Sequence, residues 1–450
     1  MIEDPERSLA QTPMSPMQIW AVGLCVLLNA LDGFDVLSIS FASPGIAKEW
    51  GIDRAALGIV LSMELIGMAI GSVWLGGLCD RIGRRAAVLA SLVLMASGMS
   101  LAATASGILP LSAWRLLTGL GIGGMLAATN ALAAEHANAK RRNFAVALMA
   151  TGYPVGAVIG GALVSYFLVD YSWRAVFASG AIVTACCIPL VYFTLPESVP
   201  WLIQRRPNGA LERLNAVLKR MGRASVSALP ERDGVRLKPG IGQLFSPILL
   251  VATLCLTFAY FFHIMTFYFI LKWAPKIVAD MGFMPSAAGN VLVWANIGGI
   301  VGSIVVSILA QRFPVKNLTI GVMVIATVLV ALFGRSAPDL VQLSILAAIA
   351  GCATNAGVVG MYAIVAETFP TEVRASGTGF VIGIGRGGAA LSPIIAGMLF
   401  ANGASLPTVA LAMGLGSTIA ALTILLLGLR RMGPKRGAAD PAIGNIKQRL

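Results

Sequence analysis

Asp32 and Asp35 stand three residues apart in a run that carries no other charge from Met17 to Pro44. Residues at that spacing share one face of a helix. Burial and a like-charged neighbour both disfavour an ionised carboxyl, so such a pair suits reversible proton exchange. Three more charges are equally isolated: Glu64 within 55–79, Arg115 within 110–133 and Arg386 within 375–401. A guanidinium offers a planar fork of donors that fits a carboxylate. Arg386 has no carboxylate in its own run, which makes it a candidate to hold an anionic ligand. Glu64 is a further candidate proton site.

The elements that must position these residues follow from composition. Of 450 residues 57% are hydrophobic and 12% charged, where a soluble globular chain carries about 25% charged residues. Twelve membrane-spanning helices need roughly 240 apolar-rich positions, which this composition supplies. A window of about 19 residues finds segments near 17–44, 55–79, 86–108, 110–133, 144–168 and 174–195. Six more follow near 245–271, 286–310, 317–334, 340–366, 375–401 and 405–429. The expected architecture is an all-α polytopic membrane protein with 12 transmembrane helices in two six-helix bundles. Its divisions are a first bundle at 1–195, a linker at 196–243, a second bundle at 244–430 and a tail at 431–450.

The net charge of +13 comes with 33 Lys and Arg that punctuate apolar segments instead of forming one basic face, so nucleic-acid binding is not implied. Most of them fall in alternate loops: Arg81, Arg84 and Arg85, Lys140 to Arg142, the linker, Arg312 and Lys316, Arg374 and the tail. The opposite side holds Lys48, Arg54, Arg174, Lys272, Lys276 and Arg335. The positive-inside rule then puts both termini in the cytoplasm of a protein of the inner membrane. The acidic start at Glu3, Asp4 and Glu6 does not read as a signal peptide. Six cysteines without CxxC spacing and two histidines suggest neither a disulfide framework nor a metal site. No cofactor and no obligate protein partner are expected beyond the lipid bilayer.

The halves repeat. Gly119, Ala134, Glu135 and Arg142 recur 232 residues later as Gly351, Ala366, Glu367 and Arg374, and Asp80-Arg81 falls opposite Gln311-Arg312. Two copies of six helices share one orientation, which places a central site between them.

The loop Gly77-Leu78-Cys79-Asp80-Arg81-Ile82-Gly83-Arg84-Arg85 resembles the signature loop between helices 2 and 3 of the major facilitator superfamily, over a chain whose helix count and repeat also match. That resemblance implies a gate in which Asp80 meets the start of helix 11 while Arg81, Gly83, Arg84 and Arg85 complete the turn. The second copy, Gln311 to Lys316, lacks the acid and the glycine. Glu135 with Arg142, and Glu367 with Arg374, are expected to pair at the same inner gate. Leu31-Asp32-Gly33-Phe34-Asp35 is similar to the D-G-x-D signature of the superfamily's aromatic acid:proton symporters, the hydroxybenzoate carriers. The implied function is import of a small aromatic carboxylate with protons by alternating access. Export of drugs or organic acids by antiport, and symport of a non-aromatic acid, are the alternatives. Gly152-Tyr153-Pro154-Val155-Gly156 offers antiport only a degenerate motif.

At 1.5 Å per residue, Asp32 lies about 20 Å into helix 1 and Arg115 about 8 Å into helix 4 from the other side, nearly one level in a membrane of roughly 30 Å. A pair between Asp32 and Arg115 is therefore expected. Arg115 also begins a ridge at Gly119, Gly121, Gly123 and Gly124, as in the superfamily's helix 4. Gly383 to Gly388 matches a dinucleotide fingerprint in letters, but with no strand before it and no acid after it the glycines read as close helix packing. Phe34 and, in helix 7, His263, Phe267 and Tyr268 are candidate walls for an aromatic ring. Lys272 and Trp273, near the outer end of helix 7, read as interfacial anchors.

Overall fold

The computed structural model describes residues 5–230, 241–370 and 373–432. The tail expected at 431–450 lies, beyond Met432, outside these residues, as do positions 231–240 of the expected linker. A lipid-exposed chain must satisfy its own backbone, and helices do so within each segment. Among the described residues there is no strand.

The first half runs α1 (Pro5–Gln11), α2 (Pro16–Trp50), α3 (Arg54–Ile82), α4 (Arg84–Ala103), α5 (Ile108–His136), α6 (Arg142–Phe167) and α7 (Arg174–Thr194). Two short helices follow, α8 (Val199–Arg205) and α9 (Ala210–Arg220). The second half comprises α10 (Leu250–Asp280), α11 (Pro285–Leu309), α12 (Val315–Phe333), α13 (Leu340–Thr368), α14 (Arg374–Gly385), α15 (Gly387–Ala401) and α16 (Leu406–Met432). Among the described residues twelve spans are long and apolar enough to cross a membrane, with α14 and α15 together forming one of them. The protein is a multi-pass membrane protein.

Local chemistry marks the helix ends. Ser15 and Gln18 form a reciprocal capping box at the start of α2, with Pro16 in its first turn. Gly51 ends α2 at φ +58°, and the Asp53 carboxylate accepts the Ala56 amide to open α3. The stretch between the bundles is more ordered than its polarity suggests. Leu9 of α1 packs with Trp201 and Leu202 of α8 and Leu214 and Leu218 of α9 in a separate apolar cluster.

The two halves use the same pairings: α3 on α5 and α11 on α13, α4 on α7 and α12 on α16, α2 on α6 and α10 on α15. Glycines allow the closest crossings. A Cβ on Gly119 would run into the carbonyl of Glu64, and one on Gly351 into the carbonyl of Ala295. The repeated glycines of the sequence are thus repeated contacts.

The halves meet at one end. At the end bearing the α2–α3 loop, Gly58 of α3 lies against the Pro393 carbonyl of α15 and Gly397 against that of Arg54. Gly161 of α6 faces Val293 of α11, and Arg54 pairs with Asp280 at 2.9 Å. Toward the opposite end α3 turns Val73 and Trp74 outward, 78% and 77% exposed. The space between the halves is closed at the first end and widens toward the second.

Candidate functional site

Asp32 and Asp35 are buried where α2 crosses α6. Gly33 between them permits the approach, since a Cβ there would occupy the place of the Tyr153 carbonyl. None of the four carboxylate oxygens of Asp32 and Asp35 has a hydrogen-bond partner. Buried polar atoms are almost always satisfied, and an unpaired buried carboxylate is costly. The pair can therefore hold a proton.

Arg115 is fully buried on α5, one turn before the glycine that meets Glu64 of α3. This crossing brings the guanidinium onto the Glu64 carboxylate, with which it forms an ion pair. It also donates to the Asp35 carbonyl at 2.9 Å and lies over the Phe177 ring at 5.2 Å. The expected partner of Arg115 was Asp32; the structure makes it Glu64. Depth along a helix does not determine which neighbour a side chain faces, and the α3–α5 glycine contact does.

A second cation enters the cluster from the other half. Lys272 of α10 is fully buried, 3.6 Å from Glu64 Oε2, and its ammonium donates to the Val36 carbonyl. Its reading as an interfacial anchor is corrected, because α10 continues to Asp280 and carries Lys272 inward against α2. Trp273 is likewise buried, against Phe400.

Arg386 occupies the interruption between α14 and α15. It is half-buried and forms no ion pair among the described residues. The phenols of Tyr260, Tyr362, Tyr268 and Tyr153 lie within its electrostatic reach. Tyr260 and Tyr362 stack with centroids 6.0 Å apart. The flanking glycines bring this segment onto α10: a Cβ on Gly385 would strike the Tyr260 ring, and one on Gly388 the Phe261 carbonyl. A cation among neutral phenols offers charge to an acid and hydrogen bonds to its substituents. Tyr268, with Phe267 edge-on at 5.4 Å, belongs to this wall. Tyr153, Tyr260 and Tyr362 were not singled out by sequence, since they come from three helices.

Two candidate wall residues are placed elsewhere. His263 has both ring nitrogens occupied, by Ser417 Oγ and the Thr354 carbonyl, each at 2.9 Å, so it ties α10 to α16 and α13. Phe34 is buried against Gly160 of α6, inside the first half.

At the opposite, wider end the Asp80 loop forms a clasp within the first half. Arg84 pairs with Asp80 at 3.0 Å and with Glu135 at 3.0 Å, while Arg81 is exposed. Gly83, at φ +104°, could not carry a side chain beside the Glu197 carboxylate. Glu197 accepts the Arg84 amide at 2.9 Å and that of Arg85 at 3.3 Å, capping α4, and Arg85 reaches the Tyr192 carbonyl. Burial pushes the Glu197 carboxyl up, against the pull of these amides. In this conformation Asp80 is 63% exposed and pairs with Arg84 of its own half. Glu135 takes Arg84 in place of the expected Arg142, which is exposed. Arg374 donates to the Phe369 carbonyl in place of Glu367. With the halves apart at this end, residues expected to lock it find partners locally.

No group of three His, Cys, Asp or Glu side chains arranged for a metal ion occurs among the described residues. The family model of the Major Facilitator Superfamily matches residues 25–283 and 256–448. The chain is 30% identical to the gallate transporter of Pseudomonas putida over 439 residues, covering 96% of this chain and 95% of the relative. It is 30% identical to the 4-hydroxybenzoate transporter of Pseudomonas aeruginosa, covering 95% and 96%. The 3-(3-hydroxy-phenyl)propionate transporter of Escherichia coli is 28% identical, with 91% and 94% covered. Among solved structures, the partially occluded inward open xylose transporter XylE of E. coli matches with a TM-score of 0.69 at 18% identity, covering 94% of this chain and 99% of that one. A crystal structure of a variant of the nucleoside transporter NupG matches at 0.68 and 16%, covering 91% and 99%. These likenesses extend to the fold.

Proposed function

The chain belongs to the major facilitator superfamily, whose members are transporters and not enzymes, and from that premise we propose that it imports a small aromatic carboxylate together with protons. The observation that carries this reading is Arg386, a cation at a helix interruption with phenols around it and no ion pair among the described residues. The named substrates of the relatives, gallate, 4-hydroxybenzoate and a hydroxyphenylpropionate, are hydroxylated aromatic acids of the chemistry such a wall accepts.

Proton coupling is read from Asp32 and Asp35. Loaded and empty carriers rock between their two open states and half-loaded ones do not, so an inward proton gradient accumulates the acid. The charge distribution of the loops supports a location in the inner membrane with both termini cytoplasmic. The closed end of the structure is then the outer end, and the conformation is open inward.

Labelled 4-hydroxybenzoate offered to proteoliposomes with an acidic exterior should accumulate inside, and a protonophore should abolish the accumulation. Expulsion under the same gradient would instead mean antiport. Equal uptake with and without the gradient would remove the proton from the cycle.

A further inference from the structure

The buried cluster at the closed end contains three carboxyl groups, Asp32 and Asp35 on α2 and Glu64 on α3, and two cations. Arg115 belongs to the same half as the carboxyls; Lys272 belongs to the other half and is inserted from α10. Other groups within electrostatic reach are the phenols Tyr153 of α6 and Tyr268, with Glu64, and the Cys187 thiol of α7, with Asp35. Helices α11 and α15, which complete the closure, carry no titratable side chain, and the Arg54–Asp280 pair lies farther out and partly exposed. Net charge in such surroundings is strongly disfavoured. With Lys272 docked, two cations answer three carboxyls and one proton completes neutrality. With Lys272 withdrawn, one cation answers the same three and two protons are needed.

We propose that Lys272 is the mobile counter-charge of this cluster, an ammonium that takes the place of one coupling proton whenever the outer ends of the two halves close. The inference rests on the proton coupling proposed above. When the halves part outside, the ammonium leaves Glu64 with its own half. A proton from the external water then bonds to a carboxylate oxygen of the cluster. On closure the ammonium returns. One carboxyl O–H bond breaks with its electron pair staying on oxygen, and the proton passes to water on the inner side, the side then open. Asp35 and Asp32 stand in that order from Glu64 toward the inner end of α2, their oxygens free to receive it. Lys272 thus links outward opening to proton uptake without touching the substrate.

The test reads the outer opening itself and needs no substrate. Spin labels at Lys48→Cys and Asn402→Cys, both exposed at the outer ends of opposite halves, go into a full-length chain whose six native cysteines are replaced. Pulsed dipolar spectroscopy then gives the ratio of outward-open to closed molecules. With Lys272 present, lowering the pH by one unit should raise that ratio by up to about tenfold, the linkage for one proton. Lys272→Arg should keep the slope and Lys272→Met should flatten it, since opening then changes no charge in the cluster. If Lys272→Met does not fold, Glu64→Gln with Lys272→Met removes both partners and should be equally flat. A slope in the methionine variants equal to that of the parent, or a parent ratio indifferent to pH, overturns the proposal. Neither result depends on which acid is carried, so failure here is distinct from failure of the aromatic acid reading.

Discussion

The two halves repeat one scaffold and use it for opposite chemistry. Gly119 against Glu64 and Gly351 against Ala295 are the same crossing, yet the acid of the first half is an alanine in the second. Counting back from Arg386 by the 232-residue repeat reaches Pro154, which lies inside the unbroken α6, so the position that carries a cation at a helix interruption in one half carries an uncharged residue within a helix in the other. The first half gathers three buried carboxyls around Arg115; the second holds Arg386 among phenols and lends Lys272 to the first half's cluster. Duplication supplies the frame, and divergence separates a cluster of buried carboxyls from a cation set among phenols.

Substitutions can break that division, beginning with the largest effect. Asp32→Asn or Asp35→Asn should abolish gradient-driven accumulation while leaving substrate exchange across equal concentrations, because an amide keeps the shape and cannot carry the proton. Full accumulation by both variants, measured in proteoliposomes, would move the proton to Glu64. Arg115→Leu should destabilise the fold by up to about 3 to 5 kcal/mol, the cost of breaking a buried pair, with Lys272, 3.6 Å from Glu64, offsetting part of it. Chemical denaturation in detergent checks it, and adding Glu64→Gln to the same chain should recover part of the loss.

In the other half, Arg386→Lys keeps charge and loses the fork, so affinity for the acid should fall by about 1 to 3 kcal/mol, the range for charge-assisted hydrogen bonds. Benzamide analogues should lose comparatively little. Calorimetric titration of acid and amide separates the two, and equal affinity of parent and variant for the acid would leave Arg386 structural. The smallest effect belongs to the inner clasp. Asp80→Asn removes one exposed partner of Arg84, which keeps Glu135, so turnover should slow a few-fold with binding unchanged. An unaltered rate would leave the loop a topological signal.

Much of this was legible without coordinates. Twelve spans, their division into six and six, and the isolated charges follow from local composition, because lipid demands apolar length and penalises every buried charge. Asp32, Asp35, Glu64, Arg115 and Arg386 stood out for that reason. Their partners did not. Arg115 and Asp32 match in depth, but rotation about the helix axes turns the guanidinium to Glu64. His263 looked available for a ligand until Ser417 and Thr354, from distant segments, filled both nitrogens.

The sequence by itself determined which residues are too costly in lipid to be idle, since that cost depends on residue type and span alone. The tertiary structure decided which charges answer which. It brought Lys272 from 208 positions away to Glu64 and surrounded Arg386 with tyrosines from three other helices. Pairing energy depends on distances of a few ångströms between helices, and those are set by where glycines let backbones touch.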